Sequence, residues 1–400
     1  MNNNNHRFLA DTGLEHAIDL LRQTPQALEN LPDGLPQFGI GERQTLDLLA
    51  PHVLGRAARL DSPLAFAHMD PPTPWITWAT TLWNARLNQN LLHPATSPFA
   101  RDAEKKLLDW LTPFFAMQGG HMCSGSTLAN LTALWAARDA HGIKKIVASS
   151  AAHISIGKAA RLLGVAYEQI TTNTAGQIDT AQIGDLSNAC LVLTAGTTAT
   201  GAIDSLALAG RAKYTHVDAA WGGPLRLSPT HAHLLKGIDN ADSVAVSAHK
   251  WLFQPKDSAL VMFRDLERAN AAISFGGAYL ASPNIGVQGS RGASAIPLLA
   301  TLLAWGSEGI AECIDHSMAM AHTLAVELSR QKNIRLWAMP DTGVTLFRPL
   351  NMSSDNFFKH LPTGMFSSCV LDGQTWVRAV AANPLADIDN INAAVRAAVQ

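Results

Sequence analysis

The chain holds 400 residues, 47% of them hydrophobic and only 16% charged, with a formal net charge of −2. That length exceeds what one simple core usually fills, so one large domain with smaller terminal lobes is expected. The near-zero charge supplies no basic field for phosphate backbones or anionic lipid, which argues against nucleic-acid and membrane roles.

The low charged share points to an exterior partly covered by a partner subunit. The opening MNNNNHRFLADTG has no basic segment followed by an apolar run, and no later stretch reaches the ~20 apolar residues a membrane span needs. A cytoplasmic location is expected. Cys123, Cys190, Cys313 and Cys369 are widely spaced, with no zinc-type clustering, so neither a disulfide framework nor a metal is indicated.

From about residue 10 to 60 the pattern is helical, interrupted at LPDGLPQFGIG, and reads as an arm. PLAFAHMDPPTP (63–74) is too proline-rich for a helix or central strand and is a loop, ordered or disordered. A tryptophan-bearing helix follows, and then SPFARDAEKKLLDWLTPFF, which puts Leu107, Leu108, Leu111 and Phe114 on one helical face. Beyond residue 118, KKIVASS, LVLTAG, YTHVDAA, SVAVSAH and ALVMFRD are short apolar runs separated by helical or loop stretches. This is an α/β pattern, with a mainly parallel central sheet flanked by helices. The expected divisions are an N-terminal helical arm (1–90), a large domain (91–300) and a small C-terminal α+β domain (301–400).

Three stretches could carry chemistry. GGHMCSGSTLANLTALWAARDA (119–140) starts with glycines and hydroxyls and becomes a helix with Leu128, Leu131, Leu134 and Trp135 on its apolar face. Such an N-terminus suits an anion, with Ser124, Ser126 and Thr127 as added donors, though ordinary N-capping reads the same residues equally simply. THVDAAWGG (215–223) ends a strand with Asp218, which suits either a protonated pyridine nitrogen or a turn. SVAVSAHKW (243–251) puts His249 and Lys250 at another strand end, where a lysine is either an imine-forming amine or a solvated surface group.

Together, in this order, anion cradle, carboxylate and lysine resemble the pyridoxal-5′-phosphate (PLP) decarboxylases of the aromatic-amino-acid, glutamate and diaminobutyrate group, which share the PLP-dependent transferase fold type I. The resemblance covers roughly residues 45 to 390 and includes NQNLLHPATSPFARDAEKKLLDWL, CSGSTLANLTAL, AAHISIGKAARLLG, LTAGTTATGAID, HVDAAWGG and SAHKW. It implies that Ser124, Gly125, Ser126 and Thr127 surround the phosphate and that His153 stacks on the cofactor ring. It implies further that Thr194 touches the cofactor, Asp218 meets the ring nitrogen and Ala220 lies beneath the ring. Ser247 and His249 would stand on the phosphate side, and Lys250 would form the Schiff base. GSRGASA resembles a segment reaching the neighbouring subunit's site, so a homodimer with interfacial active sites is implied. His68, Asp70 and Trp75, on a segment similar to the family's proline-containing arm, and Arg378 in WVRAVAANP, would meet the substrate; Asp70 tilts the expectation toward a basic amino acid.

The chain departs from the family in places. Ser126 stands where many members have glycine, and Ser247 where Asn or Asp is common. The loop ASPNIGVQ (281–288) is short and has no tyrosine. The proton donor to the substrate carbon would then be His153 or Tyr279. Amino-acid decarboxylation through Lys250 is the reading the resemblance implies. Another PLP lyase of the sphingosine-phosphate-lyase kind, or a catalytically silent binding partner, is the alternative.

Overall fold

The computed structural model describes residues 12–23, 30–278, 280 and 282–399. The chain divides into two units, Met1–Arg59 and Leu60–Gln400. In the first, α1 (Thr12–Gln23) and α2 (Glu42–Val53) flank the proline and glycine break, and His16 Nε2 meets Asp47 Oδ1 at 2.6 Å.

The second unit starts with an ordered loop. Phe66 is buried in the C-terminal core, and the Phe66 carbonyl accepts the Val380 N–H at 2.7 Å. Two helices follow, α3 (Trp75–Leu87) and α4 (Pro98–Leu111). On α4, Leu107, Leu108 and Leu111 are buried as the periodicity requires.

The central sheet has seven strands: β1 (Gly119–Cys123), β2 (Lys145–Ser149), β3 (Ala166–Ile170), β4 (Ala189–Thr194), β5 (Tyr214–Asp218), β6 (Ser243–Ser247) and β7 (Ala259–Phe263). Their order is β1-β7-β6-β5-β4-β2-β3. The pairs among β6, β5, β4, β2 and β3 are parallel, and β7 runs antiparallel to both neighbours. Every residue of β4, β5 and β6 is buried, as expected of parallel strands covered by helices on both faces.

Two details differ from the expectation. GGHMC, taken with the helix that follows, is the edge strand β1, pairing from Gly119↔Phe263 to Cys123↔Ala259. Its glycines serve close approach: a Cβ on Gly120 would lie 1.9 Å from the Val261 carbonyl oxygen. The helix proper, α5 (Ser126–His141), buries Ala129, Ala133, Ala136 and Ala137 around Leu134, while Leu128, Leu131 and Trp135 are only partly buried. Small side chains let α5 lie close against the sheet, so the larger apolar residues sit at its flanks.

Beyond β2, α6 (Ile154–Leu163) covers the sheet, and α7 (Leu266–Ile273) follows β7. A short ladder then pairs β8 (Ser274–Phe275) with β9 (Asn284–Ile285). The long α8 (Ala295–Ser329) kinks at Gly306, whose φ of 66° and ψ of −175° interrupt the helix. Before the kink Leu298 packs into the main core; after it Leu324 and Leu328 pack into the second core. That second core lies under a four-stranded antiparallel sheet, β10 (Ile334–Leu336), β11 (Val344–Pro349), β12 (Ser367–Leu371) and β13 (Gln374–Val380), in the order β10-β11-β13-β12. Two further helices, α9 (Ser354–Phe358) and α10 (Ile388–Ala398), complete it. No helix among the described residues is long and apolar enough to cross a membrane.

Candidate active site

Sheet order brings the chemistry-bearing residues together. Thr194 and Asp218 end β4 and β5 and face each other in register. Ser247 ends the adjacent β6, and Lys250 follows in a turn whose N–H bonds the Ser247 carbonyl at 3.3 Å. On the other side of β4, β2 ends at Ser149 and leads to His153, the N-cap of α6. Four adjacent parallel strands thus deliver lysine, aspartate, threonine and histidine to their carboxyl edge, where such sheets bind ligands.

Lys250 is partly buried. Burial pulls its pKa below the ordinary lysine value, and Lys256 and Arg378 act in the same direction, while the carboxylates of Asp218 and Asp70 oppose it. A lysine eased toward its neutral amine is the form that attacks a carbonyl. Asp218 is 4% exposed; its Oδ1 accepts the Ala220 N–H at 3.2 Å and its Oδ2 accepts Asn130 Nδ2–H at 2.9 Å.

His153 is held down in pKa mainly by burial, with Asp218 opposing and Lys250 and Lys158 reinforcing the shift. The Ser155 N–H donates to its Nδ1 at 3.2 Å. Nδ1 is therefore the bare nitrogen, and the neutral ring carries its hydrogen on Nε2. His249, lowered to about 4 chiefly by burial, has its Nδ1 3.0 Å from the Ser258 carbonyl.

At the far end, Ser124, Gly125 and Ser126 are partly buried and Thr127 is exposed at the start of α5. The first N–H groups of a helix have no intrahelical acceptor; the Ser124 N–H, just before it, bonds Gln288 Oε1 at 3.0 Å. Among the described residues, the hydroxyls of Thr194 and Ser247 are buried without a hydrogen-bond partner. Two orphaned hydroxyls, a helix N-terminus, a buried carboxylate and a lysine form a donor set that fits a phosphorylated pyridine aldehyde.

Arg378 projects from β13. It donates from Nε to the Thr198 carbonyl at 2.7 Å and from Nη1 to the Ala67 carbonyl and Ser367 Oγ at 3.2 and 3.3 Å. Asp70 is ion-paired with Lys256 and feels His68 and His249 electrostatically. This pairing removes the ground for expecting a basic substrate from Asp70 alone. Trp75 is 69% exposed at the start of α3. Tyr279 lies outside the described residues.

Sequence reasoning missed Lys256, Asn130, Ser155 and His216. Two signals were available. His216 sits two residues before Asp218, hence on the same face of a strand, and Asn130 is a lone amide on the buried face of a helix that starts the anion cradle.

A lysine, a buried carboxylate and a helix N-terminus on this strand order fit one class, a PLP enzyme of fold type I. The chain belongs to the pyridoxal-dependent decarboxylases: the model of the pyridoxal-dependent decarboxylase conserved domain matches residues 47–349. It is 28% identical to an L-2,4-diaminobutyrate decarboxylase of Rhizobium meliloti, over 90% of this chain and 82% of that one. It is 30% identical to an aspartate 1-decarboxylase of Aliivibrio fischeri, over 74% and 65%. Among solved structures, Oryza sativa TDC with PLP and tryptamine superposes with a TM-score of 0.84 at 21% identity, covering 100% of this chain and 98% of that one. A Burkholderia pseudomallei sphingosine-1-phosphate lyase reaches 0.81 at 17% identity, over 92% and 93%, so the fold alone does not select the reaction. The family does: the protein is a PLP-dependent amino-acid decarboxylase, a carboxy-lyase.

Proposed function

We propose that the protein converts one L-amino acid to its amine, with Lys250 as the residue that attaches the cofactor. The observation carrying this reading is the placement of Lys250, Asp218, Thr194 and His153 at the carboxyl edge of four adjacent parallel strands. PLP, when bound, supplies an electron sink for the pair left behind by departing CO2. The residues of the chain do the rest. Asp218, braced by Ala220 N–H and Asn130, would keep the ring nitrogen protonated, and the start of α5 with Ser124, Ser126 and Thr127 would hold the phosphate. Thr194, Ser247, His249 and Ala220 would line the same cofactor.

Arg378, with guanidinium hydrogens beyond its three described bonds, receives the substrate carboxylate. His153 delivers its Nε2 hydrogen to the α-carbon while its Nδ1 takes up a proton from solvent, so that the ring stays neutral, a role that needs no tyrosine in the 281–288 loop. The Asp70–Lys256 pair, with His68 beside it, offers one charge of each sign to the substrate side chain. Large apolar side chains left on the surface, among them Trp83 at 61% and Phe99 at 65% exposure, support a homodimer.

The test is CO2 release by PLP-loaded protein from a panel that sets diaminobutyrate and ornithine against aspartate, glutamate and the aromatic amino acids, with amines identified by mass. One substrate giving CO2 and its matching amine, absent with Lys250→Ala, supports the reading. CO2 from none, or undiminished in Lys250→Ala, contradicts it.

A further inference from the structure

Behind Asp218 lies a set of buried polar side chains that extends well beyond the Asn130–Asp218 contact already described. Asn130, His216 and Ser243 are 0% exposed and Ser155 is 1% exposed. Burial on this scale is costly unless each donor meets an acceptor, and matching them leaves one arrangement. A carboxylate only accepts, so the Asn130 atom 2.9 Å from Asp218 Oδ2 is the amide nitrogen. Its second hydrogen goes to Ser155 Oγ at 3.0 Å.

The amide oxygen then faces His216 Nε2 at 2.9 Å, and that nitrogen must carry a hydrogen. Burial holds the His216 pKa down to about 4, so the ring is neutral and its Nδ1 is bare. The Ser243 hydroxyl, directly across the β5–β6 pairing, donates to it at 2.8 Å. Ser155 Oγ, having accepted from Asn130, donates its own hydrogen to His153 Nδ1 at 2.8 Å. The direction of every bond follows from Asp218 at one end, and it reaches His153 at the other.

We propose that Asn130 is a positioning residue, its amide oriented by His216 so that the Asp218 carboxylate and the Ser155 hydroxyl beneath His153 are held as one hydrogen-bonded unit. The inference rests on the reading above, in which Asp218 serves the ring nitrogen and His153 the proton. It explains why a helix face lined mainly by alanines carries an amide, and why a neutral histidine is buried two residues before Asp218.

The experiment is PLP titration of the apoprotein, followed by steady-state kinetics, for Asn130→Ala, His216→Leu and His216→Gln. Loss of a hydrogen bond to a charged group predicts for Asn130→Ala a PLP dissociation constant raised about tenfold and kcat lowered about 10- to 100-fold. KM should stay within about twofold. His216→Gln can still donate an N–H to the Asn130 oxygen and should return both values toward wild type, whereas His216→Leu should not. Wild-type PLP affinity and kcat in Asn130→Ala and His216→Leu, whatever their melting temperatures, would overturn the proposal. Should Asn130→Ala fail to fold, equal values for the Leu and Gln variants would overturn it and rescue by Gln would support it. If no amino acid yields CO2, the decarboxylation reading fails, while the PLP affinities still decide the role of Asn130.

Discussion

Trp221 lies against Trp251 with ring centroids 4.0 Å apart and planes tilted by 31°, three residues past Asp218 and one past Lys250. The Trp221 indole N–H donates to Thr342 Oγ1 and that of Trp251 to the Ala381 carbonyl, each at 3.1 Å. The two turns that present Asp218 and Lys250 are therefore pinned to one another and to segments flanking the C-terminal sheet. Gly343 leaves the room: a Cβ there would lie 2.5 Å from Trp251 Cζ2.

Gly343→Ala should press on Trp251 without touching the site. Overpacking of this kind costs about 1–3 kcal/mol, readable by denaturant unfolding. PLP affinity should fall several-fold with it, because the turn bearing Lys250 must move. Unchanged stability and unchanged affinity would show that the indole pair yields without moving the lysine.

Asp218→Asn keeps an oxygen for the Ala220 N–H but removes the charge that pairs with a protonated ring nitrogen. Turnover should drop by on the order of 10²-fold or more, since a charge-assisted bond is lost at the electron sink. The circular dichroism spectrum should stay that of wild type. Near-normal CO2 release would remove Asp218 from its assigned role.

Arg378→Lys preserves charge and loses the planar fork. KM should rise about 10- to 100-fold with a smaller change in kcat, as expected when a hydrogen bond to an ionised group is lost in both ground and transition states. A kcat-only effect would instead point to a role in positioning Lys250.

Stability should depend on pH through His216. Its folded-state pKa is about 4 against an ordinary 6.5, so the unfolded chain takes up the proton first. The stabilisation is complete above about pH 6.5 and is lost as pH falls toward about 4, amounting to about 3 kcal/mol in all. Asp204 shifts the opposite way, raised to about 6 by burial, so the clean measurement is the difference from His216→Gln. Wild type should gain on the variant from acidic to neutral pH; a constant gap would contradict the shift.

Much of the fold was legible because five buried strands read as apolar runs ending in polar residues, and because Asp218 and Lys250 each stand at such an end. Strand β1 was not, since two glycines look like a loop until the β7 backbone beside Gly120 is known. The ion pair of Asp70 was not legible for a different reason: its partner Lys256 lies 186 positions away in sequence, and no local pattern announces a pair of that separation. The Asn130–His216 bond is likewise a product of packing between a helix and a strand 86 residues apart, which periodicity alone does not register.

The most direct test of the central claim is borohydride reduction of the PLP-loaded protein, followed by proteolysis and peptide mapping. The account predicts a single stoichiometric pyridoxyl modification on Lys250, with loss of the visible absorption band. Modification at Lys256 or another lysine, with Lys250 unmodified, would contradict it.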